Sequence, residues 1–326
     1  MLQKRTPSVV ARWIPPMAAG GVSLAISRFA PLASPLLIAL VLGAVVVNSR
    51  WGSHRFLPGH QLTTRTMLRA GVVLLGLRLP IQDILGLGPR GLVVIALTVT
   101  ITFTATCVIG DRLGIDRGLV TLIATGFSIC GAAAIAAVEG GIKRRNEDVA
   151  LAIAMVTVFG SAMIVALPLA SHLLGLTARQ QGVWAGASIH EVAQVVAAAT
   201  TAGAAAVAIA TTVKLGRVSL LALAYLAARR RDGATPVEGT RPPAVPWFVV
   251  GFLVSAGIAT ADIVPAHVLQ GADLVTTMLL AGAMFGLGLG MQVRTLFPVP
   301  LRVLGLAAAS TAVAASVSLV MTMVLF

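Results

Sequence analysis

Apolar stretches long enough to cross a lipid bilayer recur along almost the whole chain, and they limit the fold more than any other feature. Of the 326 residues, 57% are hydrophobic and 11% are charged, and the mean hydropathy is +0.95. Soluble domains carry about 25% charged residues. Backbone groups inside lipid must be hydrogen-bonded within the protein, so spanning segments are expected to be helices. The composition predicts an all-α membrane protein.

Eleven candidate spans follow from the apolar pattern. They cover residues 14–29, 32–48, 64–79, 90–110, 118–139, 149–174, 181–201, 205–228, 246–262, 272–292 and 302–326. Setting the first span aside leaves five plus five, and an odd number per half gives the halves opposite orientations. The sequence thus predicts one membrane domain over 1–326, with a first repeat at 31–174, an inverted second repeat at 175–326 and a cytoplasmic linker at 232–246.

The basic residues predict the orientation. A cytoplasmic N-terminus puts sixteen Lys and Arg in or beside inside loops and six in outside loops, as the positive-inside rule requires. Arg117 and Arg179 are then inside, whereas Arg90 and the cluster Lys143-Arg144-Arg145 are outside, and that cluster conflicts with the rule. Because the positive charge is scattered through loops, no nucleic-acid partner is expected. The expected location is the bacterial inner membrane, with the bilayer and a second copy in a homodimer as partners.

A glycine-rich segment occupies the fourth span of each half. Residues 126–131 read Gly-Phe-Ser-Ile-Cys-Gly, and residues 282–290 read Gly-Ala-Met-Phe-Gly-Leu-Gly-Leu-Gly. Interrupted helices at matching places in two halves indicate a transporter binding site, so we expect two broken helices that cross at the membrane midplane. Ser128 would cap the freed backbone N–H groups. The alternative is that these glycines only let helices pack closely.

Ionisable residues lie near the midpoints of two other spans. They are His190 and Glu191, with Gln194, in one span and Lys214 and Arg217 in the next. A charge at the bilayer centre costs roughly 2.5–3.5 kcal/mol, which indicates a binding site, although a buried structural ion pair is the alternative. Two cations against one carboxylate suit an anionic solute. Histidine titrates near neutral pH, so a proton is the expected coupling ion, with sodium as its competitor.

Other chemistries fit the sequence less well. Gln194 stands where the His-Glu-x-x-His zinc signature needs its second ligand, so no metal site is predicted. Cys130 stands where a Gly-x-Ser-x-Gly nucleophile elbow needs glycine, and the sequence contains no Gly-x-x-x-x-Gly-Lys-Ser/Thr loop. We therefore expect no enzyme and no cofactor beyond the coupling ion. An ion channel and a membrane enzyme are the other classes considered.

Motifs spread from about Asn48 to Gly290 resemble the YeiH-type sulfate exporter family. They are Gly71-Val72-Val73-Leu74-Leu75-Gly76-Leu77-Arg78-Leu79, Ser128-Ile129-Cys130-Gly131, Ser188-Ile189-His190-Glu191-Val192-Ala193-Gln194-Val195, Lys214-Leu215-Gly216-Arg217-Val218 and Pro246-Trp247-Phe248. The resemblance implies an inner-membrane secondary transporter of a small inorganic or sulfur-containing anion. It also implies a likeness to the inverted-repeat architecture of bile acid/sodium symporters and sodium/proton antiporters. The chain departs from the family pattern at Phe127, Ala133 and Ala187, where the family tends to have small hydroxyl residues.

These features together predict a secondary transporter of sulfate or a related sulfur oxyanion that works by alternating access. An anion channel, or a carrier of bicarbonate or a small carboxylate, is the alternative. The predicted substrate-binding residues are Ser128, Ile129, Cys130, Gly131, Ser188, His190, Gln194, Lys214, Arg217, Met284, Gly286 and Gly288. Lys214 and Arg217 are expected to attract the anion, and His190 and Glu191 to carry the coupling proton.

Overall fold

The computed structural model describes residues 9–29, 35–49, 60–78, 81–232, 247–290 and 299–326. Throughout these ranges the chain is helical and has no strand. The basic residues Lys4 and Arg5 and nearly all of the predicted linker 232–246 lie outside the described residues.

The α-helices run in chain order as follows. They are α1 (Val9–Phe29), α2 (Pro35–Asn48), α3 (His60–Leu75), α4 (Ile81–Gly86), α5 (Gly88–Arg112), α6 (Arg117–Ser128), α7 (Ala132–Val138), α8 (Asn146–Leu173), α9 (Ala178–Ser188), α10 (Val192–Ala199), α11 (Ala204–Ser219), α12 (Leu221–Asp232), α13 (Trp247–Thr260), α14 (Ala266–Gly288) and α15 (Leu301–Leu325). Short 3-10 turns follow α3, α7 and α10 at Gly76–Arg78, Glu139–Gly141 and Thr200–Ala202.

Several of these helices have the length and hydropathy of a membrane span. Within the described residues they are Gly88–Arg112, Glu147–Leu173, Ala266–Gly288 and Leu301–Leu325. The pair Ala204–Ser219 and Leu221–Asp232, bent by 42°, makes a fifth if counted as one span. Within the described residues the chain is therefore a helical protein with four or five candidate spans. This finding does not confirm the count of eleven, and the inverted repeat stays a prediction.

The chain divides into two compact units. The first is formed by Met1–Leu75 and Pro265–Phe297, and the second by Gly76–Val264 and Pro298–Phe326. In the first unit α14 packs against α1, α2 and α3. Close approach depends on glycine there, because a Cβ on Gly71 would lie 2.7 Å from Leu280 Cδ2, and one on Gly43 would overlap the Phe285 carbonyl oxygen. Small residues of this kind let membrane helices approach closely.

Two helix pairs of the second unit turn back on themselves. The first hairpin is formed by α6 and α7, and its end lies beside its start. Gly118, at the start of α6, is so close to the residues that follow α7 that an added Cβ would overlap Lys143 O and lie 3.2 Å from Arg144 Cα. In the second hairpin, formed by α9 and α10, Gln181 Nε2 donates to Ala198 O at 3.3 Å and to Thr201 Oγ1 at 2.7 Å. Spans 118–139 and 181–201 were each predicted to be a single continuous pass, whereas both fold back on themselves in the structure.

The hairpins enter the second unit from opposite ends. The first starts beside Lys143, whose N–H donates to Asp232 at the end of α12. The second starts at Arg179, whose guanidinium lies 5.2 Å from the Phe326 ring at the far end of α15. Their first arms of 12 and 11 residues reach about 18 Å and about 16 Å, roughly half of a 30 Å hydrocarbon core. The two tips therefore lie about midway between the two ends of the second unit.

This topology corrects the predicted sidedness of the loops. Arg117 and Lys143 were predicted on opposite sides, yet they lie at one end of the unit because the first hairpin returns. Arg90, whose side chain donates to Leu325 O at 3.3 Å, shares the other end with Arg179. Treating each of these two segments as a single pass therefore reversed the predicted side of the chain between the two hairpins, from Lys143 to Arg179.

Candidate functional site

The tip of the first hairpin is a break of three residues between α6 and α7. Asp116 caps the start of α6 by accepting from Gly118 N at 2.9 Å, and α6 ends at Ser128. Gly131 precedes α7 with φ +77° and ψ −135°, a conformation that is open to glycine and strained for other residues. The break predicted at residues 126–131 is therefore present.

The tip of the second hairpin is the His190-Glu191 segment itself. The capping box of Thr177 and Gln180 starts α9, which ends at Ser188. Ile189 and Glu191 are extended, and Gln194 Oε1 accepts from Glu191 N at 3.1 Å, which fixes the first turn of α10. The partner of the first broken helix is thus this segment rather than the glycine-rich stretch of α14.

Two fully buried cations on α11 join the tips. Lys214 Nζ donates to Ile129 O and Ile189 O, each at 2.8 Å. Arg217 donates to Ser128 O at 3.0 Å and Phe127 O at 2.8 Å in the first hairpin. In the second it donates to Gly186 O at 3.3 Å, Ala187 O at 2.7 Å and Ile189 O at 2.9 Å.

These bonds satisfy the carbonyl groups that a helix leaves open at its C-terminal end. In α6 the Thr125 and Gly126 carbonyls accept from Ile129 N and Gly131 N, and the next ones accept from the two cations. A cation at this end is also stabilised by the helix dipole. The charges that the sequence singled out are therefore bound to backbone, which excludes a simple ion pair with Glu191 as their main contact.

Glu191 bridges the two tips from the other side. Its Oε1 accepts from Ala132 N at 3.5 Å, at the start of α7, and its side chain is 8% exposed. A Cβ on Gly131 would lie 2.6 Å from Glu191 Cγ, so glycine is required there for space as well as for conformation. Gln194 Nε2 donates to Thr157 O on α8 at 3.4 Å. The Gln194 amide occupies the space that a side chain at Gly160 would fill.

His190 is fully buried beside the first hairpin. Its Nε2 lies 3.1 Å from Thr311 Oγ1 on α15, and its ring centroid lies 4.3 Å from that of Phe127. Because Thr311 Oγ1 donates to Ala307 O, we take Nε2 as the donor to Thr311. Nδ1 has no hydrogen-bond partner in the structure, so one nitrogen of a buried imidazole is uncommitted.

The cap predicted for Ser128 is not found. Ser128 was expected to cap freed N–H groups, but its hydroxyl donates back to Thr125 O at 3.3 Å. Ser188 donates in the same way to Trp184 O at 2.7 Å. Cys130 is a free thiol with 7% exposure. Hydroxyls in buried helices commonly satisfy themselves on the preceding turn, and both serines do so here.

The opening predicted at Met284, Gly286 and Gly288 is absent. These residues belong to α14, which is continuous to Gly288, and they lie in the other compact unit. A Cβ on Gly286 would overlap Thr64 Oγ1, and one on Gly288 would overlap Leu40 O. The glycines therefore serve close helix packing, which was the alternative interpretation.

The structure also brings in residues that the sequence did not indicate. Thr311, Thr157 and Gly160 contact the tip residues from α15 and α8. They are small residues in long apolar helices and give no pattern that separates them from packing positions. Across the described part of the chain, no three His, Cys, Asp or Glu side chains come together as metal ligands.

Comparison with known proteins agrees with a membrane location. The family described as conserved hypothetical protein 698 matches residues 16–307. A UPF0324 membrane protein of Corynebacterium glutamicum is 40% identical over 326 residues, which cover 99% of this chain and 93% of the relative. A UPF0324 membrane protein of Pseudomonas aeruginosa is 39% identical over 298 residues, which cover 84% of this chain and 81% of the relative.

No solved structure matches the chain. The match along most of its length, together with the long apolar helices, makes the chain a multi-pass membrane protein. It belongs to the family of UPF0324 membrane proteins, described as conserved hypothetical protein 698.

Proposed function

We propose that the protein is a secondary active transporter of a small anion, with its substrate site at the joined hairpin tips. The observation that carries the proposal is that two helical hairpins from opposite ends of the second unit meet at their tips and are joined there by buried cations. We take this meeting point to lie near the membrane midplane. Non-helical backbone at this depth is tolerated where it is buried in protein or lines a cavity. In transporters, such broken helices form the substrate and coupling-ion sites.

The charges at the tips favour an anion that binds together with a proton. Lys214 and Arg217 face the C-terminal ends of α6 and α9, and each helix end is equivalent to about half a negative charge. The N-terminal ends of α7 and α10 also lie at the tips, and each is equivalent to about half a positive charge. The arrangement therefore leaves roughly two positive charges, of which an ionised Glu191 balances one and a protonated Glu191 balances none. Protonation of Glu191 would therefore strengthen anion binding, which is the coupling that a symporter needs.

The resemblance to sulfate exporters makes sulfate and related sulfur oxyanions the first substrates to test. Bicarbonate and small carboxylates are the next set, and sodium is the competing coupling ion. An anion channel is the second candidate architecture, but Glu191, Lys214 and Arg217 gather at the hairpin tips, whereas a channel needs a polar path along its whole length.

Uptake by purified protein in proteoliposomes tests the proposal. Radiolabelled sulfate, sulfite, thiosulfate, bicarbonate and small carboxylates are offered under an imposed proton gradient, sodium gradient or neither. We expect one of these anions to accumulate against its gradient when a proton gradient is present. A sodium requirement would reassign the coupling ion, and a current of channel size would contradict a carrier.

Glu191→Gln separates coupling from binding. The amide resembles the protonated carboxyl in shape and charge, so this variant should still exchange anion for anion while losing accumulation driven by the proton gradient. Glu147→Gln, at the exposed start of α8, is a matched control that makes the same change away from the tips. Retention of proton-driven accumulation by Glu191→Gln would contradict the coupling role.

A further inference from the structure

The hydrogen-bonding groups of Lys214 and Arg217 are directed at the hairpin backbone. Both side chains are fully buried, and Arg217 uses Nε and both terminal nitrogens on carbonyl oxygens. A solute could replace these carbonyl oxygens only after the bonds to the helix ends had broken. Those carbonyl groups would then be buried without hydrogen-bond partners, which is strongly disfavoured in a membrane protein. The N–H groups that remain, one on Lys214 Nζ and one on Arg217 Nη2, are buried with the rest of each side chain.

We propose that Lys214 and Arg217 are positioning residues that lock the two tips into one body, and that the transported anion does not contact them. The proposal rests on the proposed transport function. Each residue bonds to both hairpins, Lys214 through Ile129 O and Ile189 O and Arg217 through Ser128 O and Ala187 O. The two tips are far apart in the sequence. Loss of either side chain is therefore expected to let the first and second hairpins separate there.

Arginine is suited to this position because its planar guanidinium presents five donors in a fixed fork, whereas lysine offers three on one nitrogen. The substitution Arg217→Lys keeps the charge but cannot reach all the carbonyls that Arg217 holds. It therefore separates the two roles, since a role in attracting the anion through space needs only the charge. A role in holding the tips needs the fork.

Two native cysteines allow the tips to be probed directly. The chain has two cysteines, Cys130 at the first tip and Cys107 within α5, both buried. In a Cys107→Ala background, we expect Arg217→Lys to raise the rate of Cys130 alkylation by a membrane-permeant maleimide about tenfold or more, because bonds to a charged group are lost. In a Cys130→Ala background, the rate at Cys107 should not change.

Transport kinetics complete the test. For Arg217→Lys we expect a lower maximal rate of anion exchange and a KM within about twofold of the wild-type value. A KM raised about tenfold or more, with Cys130 still protected, would show that Arg217 contacts the anion and would overturn the proposal. Faster alkylation at both cysteines would show general unfolding and would also count against it.

The alkylation measurement does not depend on transport. If no anion is transported by the wild-type protein but Arg217→Lys still exposes Cys130, the proposed function fails and the positioning role stands. If transport is found and Cys130 reactivity does not respond to Arg217→Lys, the positioning role fails alone.

Discussion

At the scale of single residues, glycine decides whether the two tips can meet. Gly131 has a backbone conformation that side chains rarely adopt, and it faces Glu191 so closely that a methyl group would displace the carboxylate. Both constraints act on the residue that sets the direction of α7. The sequence indicated this glycine as part of a break, whereas the contact with Glu191 depends on a residue 60 positions away in the chain.

We expect Gly131→Ala to be strongly destabilising and to abolish transport. The strained backbone costs about 1–3 kcal/mol, and the overpacking against Glu191 adds to it. Gly175→Ala is the matched control, because Gly175 also has a positive φ of +65° but has no atom within 4 Å of an added Cβ. Apparent thermal midpoints in detergent compare the two variants. Equal midpoints would show that the Glu191 contact is not needed.

At the scale of elements, the same residue type serves opposite purposes. Gly131 interrupts a helix, whereas Gly282 and Gly286 lie within the unbroken α14 and allow close packing. Gly286 faces Thr64, and Gly282 faces Met67. Sequence spacing alone could not separate the two uses, because a glycine that opens a helix and one that accepts a neighbour occur in similar apolar surroundings.

Two alanine substitutions in α14 should have different effects on stability. Gly286→Ala should lower the free energy of unfolding by about 1–3 kcal/mol, because the new methyl group overlaps Thr64. Gly271→Ala should be neutral or slightly stabilising, because an added Cβ there meets no atom within 4 Å and alanine is the better helix former. Thermal midpoints of both variants, measured in the same detergent, test this. A destabilising Gly271→Ala would contradict the packing argument.

At the scale of the whole molecule, the hairpins change which basic residues lie at the same end of the second unit. One end of the second unit carries a large group of basic residues, namely Arg117, Lys143, Arg144, Arg145, Arg229, Arg230, Arg231 and Arg302, and the other carries Arg90 and Arg179. The Lys143-Arg144-Arg145 cluster, which conflicted with the positive-inside rule, joins the majority once the first hairpin is recognised as re-entrant.

The sidedness can be measured with single cysteines in a Cys107→Ala, Cys130→Ala background. We expect Arg117→Cys and Lys143→Cys to react with an impermeant maleimide from the cytoplasmic side. Arg90→Cys and Arg179→Cys, which are equally exposed positions, should react from the opposite side. If Arg117→Cys and Lys143→Cys reacted from different sides, the first hairpin would cross the membrane and the proposed site would be lost.

The sequence by itself indicated a helical membrane protein, a helix break within residues 126–131, and one site that contains His190, Glu191, Lys214 and Arg217. These follow from local physics, because the cost of exposed backbone and of charge in lipid acts on each segment separately. Only the tertiary structure decided that two segments turn back, that the second break is at His190, and that both cations bind carbonyl groups. Hairpins and spans have the same apolar composition, and what separates them is which distant donors satisfy the backbone at each helix end.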